Sequence, residues 1–123
     1  MRNLRAATRL LLVGVGLSAL AGCGHTATVP FDRTIRVAVT EYRVVPQSID
    51  SPAGQVILVV ENDGRLTHDL AVSRDGVIVG QTPPLQPGTH TELVLTLSRG
   101  SYLMTSTLFS DQALGTYGTL RVR

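Results

Sequence analysis

The sequence predicts an all-β sandwich, and three observations carry the prediction. From Thr34 onward, apolar residues recur at every second position in short runs, the period of a strand with one buried face. Turn-forming pairs separate the runs at short intervals. No part of that region sustains a 3.6-residue period, although Asp111-Gln112-Ala113-Leu114-Gly115 could form a single turn. Several short strands with regular turns fit two packed sheets around one core.

The strands follow in order. Thr34-Ile35-Arg36-Val37-Ala38-Val39-Thr40 sets Ile35, Val37 and Val39 on one face. Residues 55–62, QVILVVEN, are almost continuously apolar, as expected of a strand buried on both faces or wedged between sheets. Residues 68–80 place Asp75-Gly76 between apolar runs, which signals a hairpin. TELVLTL, residues 91–97, aligns Leu93, Leu95 and Leu97 on one face; SYLMTST and YGTLRVR supply the last two strands. Pro52-Ala53-Gly54, Asp63-Gly64, Pro83-Pro84, Pro87-Gly88 and Arg99-Gly100 are the turns between them. Periodicity alone leaves open which sandwich topology the strands adopt.

The first 22 residues have a different layout. Arg2, Arg5 and Arg9 form a basic leader, Leu10 to Leu20 is an apolar run short for a bilayer span, and small residues follow. This is the pattern of a cleaved secretory signal. Leu20-Ala21-Gly22-Cys23 resembles the bacterial lipoprotein lipobox, which implies cleavage before Cys23 and attachment of acyl chains such as palmitate to it. Cys23 is the only cysteine, so no internal disulfide can form, and acylation gives the odd thiol a fate. Residues 23–33 then read as the acylated Cys and a flexible tether with a reach of about 20 to 30 Å, and residues 34–123 as the folded domain.

Charge follows the same division. The whole chain carries +2, but loss of Arg2, Arg5 and Arg9 leaves eight basic residues against nine acidic ones, a net −1 with His neutral. The remaining arginines are scattered singly, which excludes a basic footprint for nucleic acid. At 43% apolar and 16% charged residues, the chain is too apolar for a disordered one.

The order of landmarks within the domain is specific. Tyr42, Pro46, Pro52-Ala53-Gly54, Asn62, Gly64 and His68, followed by Pro87-Gly88, an alternating strand and Gly100-Ser101-Tyr102, resemble small bacterial cupredoxins of the plastocyanin-like and iron-transport-associated types. Immunoglobulin-like and cupredoxin-like sandwiches both satisfy the periodicity, which alone does not choose between them. The resemblance implies a cupredoxin-like Greek-key β-sandwich in which the position of His68 supplies the first copper ligand. The others come from a loop of form Y-x-x-x-C-x-x-P-G-H-x-x-x-G-M-x-G-x-L-x-V, and residues 102–122 align with it without a gap. Tyr102, Gly115, Gly118, Leu120 and Val122 stay in register. Ser106 stands where the thiolate belongs, Asp111 where the second imidazole belongs, and Thr116 where the thioether belongs.

A type 1 copper centre needs a cysteine sulfur and two imidazoles. One imidazole, one carboxylate and two hydroxyls form a hard donor set, which could hold Cu(II) weakly and would not hold Cu(I). Met104, on the same strand face as Ser106, is the only soft donor near that loop and equally suits a core position. His68 alone reads as readily as a buried imidazole paired with a carbonyl or with Asp111; His25 and His90 read as solvated. Asp63, Asp69 and Asp75 recur every six residues without calcium-loop spacing. No nucleophile elbow, zinc-protease pair or phosphate loop is present, so no enzyme is expected. The expectation is a non-enzymatic lipoprotein on the extracytoplasmic face of the cell membrane. Its partners would be lipid, through Cys23, and an envelope protein bound or scaffolded by the domain, with no resident cofactor. The alternative is copper or other divalent-metal trafficking through His68 with Asp111.

Overall fold

A computed structural model of the chain describes residues 25–108 and 115–123. Among these residues are ten strands and no helix, arranged as two sheets. They are β1 (Thr26–Thr28), β2 (Thr34–Val39), β3 (Val44–Val45), β4 (Ser48–Ser51) and β5 (Gly54–Asn62), then β6 (Ala71–Arg74), β7 (Val77–Gln81), β8 (His90–Leu97), β9 (Gly100–Thr105) and β10 (Tyr117–Val122). One sheet has the order β1-β4-β10-β9-β6-β7 and the other β3-β2-β5-β8. Pairing is mixed: β1 and β10 flank β4 in parallel, β2 runs parallel to β5, and the remaining pairs are antiparallel. Parallel pairs cannot be joined by a tight hairpin, so the chain crosses between sheets from β2 to β4 and back to β5.

Side-chain alternation sets the core. Val37 and Val39 of β2, Val56, Leu58 and Val60 of β5, and Leu93, Leu95 and Leu97 of β8 face Ile49, Val72, Tyr102, Met104, Leu120 and Val122 of the other sheet. Each fully buried aliphatic side chain contributes about 1.5 to 3 kcal/mol relative to exposure. Asp75 and Gly76 both take positive φ, 51° and 78°, and form the two-residue turn that the β6–β7 hairpin requires.

Two expectations are corrected. The segment read as a flexible tether, residues 23–33, contributes β1 from Thr26 on, and Val29 is buried with its N–H donating to Asp50 O at 2.8 Å. The edge of β4 offers unpaired backbone groups, and a short β-branched stretch satisfies them while placing Val29 in the core. In β5 the apolar run is not buried on both faces: Val56, Leu58, Val60 and Asn62 are buried, whereas Ile57, Val59 and Glu61 lie on a partly covered outer face.

Candidate functional site

The end of the sandwich that carries His68 is built from the loop following β5. Asn62 is fully buried and organises that loop: its Nδ2 donates to Leu66 O at 2.8 Å and Leu85 O at 2.7 Å, and its Oδ1 accepts from Gly64 N–H at 2.9 Å. The loop therefore turns back on itself and delivers His68 beside Leu85. His68 N–H donates to Leu85 O at 3.1 Å, and Leu85 N–H donates to His68 O at 2.7 Å.

The imidazole is 1% exposed, and its Nε2 lies 3.2 Å from Glu41 Oε1. The same carboxylate oxygen accepts from the backbone N–H groups of Arg65 at 2.5 Å and Leu66 at 2.8 Å. Backbone hydrogen bonds, that from Leu66 foremost, hold the Glu41 carboxyl down at about 2, against an opposing effect of burial. A carboxylate that is ionised at neutral pH only accepts, so His68 Nε2 is the donor in this pair. Gly64 makes room for it. A Cβ there would lie 2.5 Å from Glu41 Oε1 and 2.9 Å from His68 Nε2.

A second carboxylate serves Ser106. Asp69 is buried, and its Oδ1 accepts from Thr107 N–H at 2.6 Å and Ser106 Oγ at 3.2 Å. Its Oδ2 accepts from Thr107 Oγ1 at 2.5 Å and Gln81 Nε2 at 2.8 Å. Burial pushes the Asp69 carboxyl upward, but these hydrogen bonds outweigh it and leave the group below its ordinary value. Thr116, fully buried, turns its hydroxyl toward two carbonyl oxygens, Glu41 O at 2.7 Å and Thr40 O at 3.0 Å. That contact ties the start of β10 to the loop that presents Glu41.

His68, Ser106 and Thr116 thus all lie buried at one end of the fold. Met104 is buried in the hydrophobic cluster, close against Gly118, where a Cβ would come 3.0 Å from Met104 Cε and 2.6 Å from Gln47 O. Cys23 and Asp111 lie outside the described residues. Two residues central to the site were missed in the sequence. Glu41 carried no motif, and Asp69 read as an ordinary turn acid.

The described donors do not fit a type 1 copper centre. Such a centre needs a cysteine thiolate, and the described residues include none; the Ser106 hydroxyl is engaged with Asp69 and the Thr116 hydroxyl is aimed at two carbonyls, so neither offers a soft donor. Among the described residues, no buried side-chain nitrogen or oxygen lacks a hydrogen-bond partner, and no three His, Cys, Asp or Glu side chains converge as a metal-binding group. What the arrangement can do is hold three loops and one strand end in a fixed relation.

Comparison with protein-family models and with curated proteins finds no match. Solved structures do match. Dithionite-reduced auracyanin from Roseiflexus castenholzii is similar with a TM-score of 0.67 at 17% identity, covering 74% of this chain and 97% of its own. An azurin from Methylomonas sp. strain J gives 0.64 at 14%, covering 73% and 97%. Rusticyanin from Thiobacillus ferrooxidans gives 0.64 at 17%, covering 80% and 82%. Likeness at these identities concerns architecture, and it agrees with the strand order: the domain has a cupredoxin-like fold.

Proposed function

We propose that this chain is an exported lipoprotein, anchored by acylated Cys23, whose cupredoxin-like domain binds or scaffolds a cell-envelope partner without enzymatic chemistry and without type 1 copper. The observation that carries the reading is the engagement of the Ser106 and Thr116 hydroxyls in hydrogen bonds within the chain, where a soft-metal site would need sulfur donors. Electron transfer at a blue copper site needs a thiolate, and the serine hydroxyl at that position gives up its proton only with strong assistance. The lipid anchor is supported by the sequence Leu20-Ala21-Gly22-Cys23 directly after an apolar run. Attachment of several acyl chains holds a protein at a membrane far more firmly than one chain does, since each buried methylene adds roughly 0.8 kcal/mol.

Two measurements test the proposal. Mass spectrometry of the membrane-extracted protein should find a mature chain beginning at acylated Cys23; a free Cys23 thiol on a chain that still carries residues 1–22 would refute the anchor. Calorimetric titration of the full-length, detergent-solubilised protein with Cu(II) and Cu(I) should give no stoichiometric binding. Tight one-to-one binding that His68→Ala abolishes would instead establish the metal-trafficking alternative.

A further inference from the structure

A groove of about 730 Å³ opens beside β1, where the loop through Tyr42, the short β3 and the start of β10 meet. Its walls include Tyr42, Val45, Pro46 and Tyr117, with His25 and Arg43 at its polar margin. Tyr42 is 68% exposed, Val45 47% and Tyr117 43%, an unusual concentration of apolar surface in a chain with few aromatics. The walls meet closely because a Cβ on Gly115 would lie 2.9 Å from Tyr42 O.

The position of this groove relative to the chain's beginning gives it an occupant. His25 lines it, and only Gly24 separates His25 from Cys23. Because β1 already starts at Thr26, the link from the fold to Cys23 is two residues, or about 7 Å at full extension. We propose that the rim of this groove is the face that rests on the bilayer, with Tyr42, Val45 and Tyr117 in its interfacial layer. The placement deepens the lipid-anchor reading above and rests on acylation of Cys23. Tyrosine suits that layer, since its ring is apolar and its hydroxyl remains in contact with headgroups and water. Arg43 adds a fork of donors for a lipid phosphate. A second apolar patch, Val77, Ile78 and Val79, is as exposed, but it forms the opposite edge of the six-stranded sheet, so an anchor beside β1 directs it away from the membrane.

The chain carries its own probe. It has no tryptophan and three tyrosines, of which Tyr102 is buried and Tyr42 and Tyr117 line the groove. The full acylated protein would be reconstituted into vesicles of phosphatidylethanolamine and phosphatidylglycerol, with and without bromine on the acyl chains near the headgroup. Brominated lipid should quench the emission of Tyr42 and Tyr117 and spare that of buried Tyr102. In parallel, Val45→Cys and Ile78→Cys would be spin-labelled, acylation of Cys23 leaving the new thiol as the reactive one. Collision with a water-soluble relaxation agent should be lower at position 45 than at position 78. Unchanged emission, or equal accessibility at the two labels, in protein whose Cys23 is acylated by mass overturns this placement and leaves the anchor standing. A free Cys23 thiol overturns both.

Discussion

Between the two sheets, Val37, Ile49, Leu58, Val60, Met104 and Leu120 are fully buried and present no charged or hydroxyl group to satisfy. At one end of the same sandwich, Asn62, His68, Asp69, Ser106 and Thr116 are as deeply buried and entirely polar, and the described partners of their side chains are carboxylates, hydroxyls, amides and backbone groups. Apolar packing depends on area and tolerates exchange among side chains of similar volume. A buried polar network depends on direction, and loss of one member leaves the others unpaired at full desolvation cost. The fold is therefore secured by the first region, while the geometry of the loop end is secured by the second.

Breaking the apolar region should have the largest effect. Leu58→Ala removes a fully buried side chain between the sheets and should cost about 2 to 5 kcal/mol in denaturant unfolding. A cost near zero would mean that this layer is not closely packed.

Asp69→Ala should come next. It strips the acceptor from Thr107 N–H, Thr107 Oγ1, Ser106 Oγ and Gln81 Nε2, and should cost about 1 to 3 kcal/mol. Loss of protection from hydrogen exchange at Thr107 should accompany it. If the cost matches that of a surface substitution, water already serves these donors.

Glu41→Gln should act mainly through pH. The folded carboxyl sits at about 2 against an ordinary 4.5, so its stabilising contribution is complete above about 4.5 and is lost as pH falls toward 2. Wild-type stability should decline across that window, and the variant should show a shallower decline. The lowered Asp69 carboxyl contributes with the same sign, so Asp69→Asn measured alongside separates the two. The smallest effect belongs to Thr116→Val, which keeps the shape and loses one hydroxyl shared by two carbonyls, about 0.5 to 1.5 kcal/mol.

The apolar region was legible in the sequence and the polar end only in part. Leu93, Leu95 and Leu97 announced their shared face by period, and Asp75-Gly76 announced its hairpin, because both signals lie within a few neighbouring residues. Residues 26–29 misled because a short strand pairing through backbone atoms needs no periodic pattern of its own. The outer face of β5 misled because Ile57 and Val59 are apolar yet only partly covered. His68, Ser106 and Thr116 were found through family resemblance. Glu41 and Asp69 were not, since Glu41 meets His68 across 27 residues and Asp69 meets Ser106 across 37, separations that leave no local trace.

Among the described residues the buried polar side chains of the loop end all have hydrogen-bond partners, and the proposal that this end takes no copper rests on that arrangement. That proposal is tested most directly by the unfolding midpoint of the full-length protein in detergent, measured with and without excess Cu(II), and with Cu(I) under reducing conditions. A ligand bound only to the folded state at a hundred times its Kd would add about 2.7 kcal/mol. The midpoint should be unchanged with either ion. A rise of that size that disappears in His68→Ala would contradict the proposal.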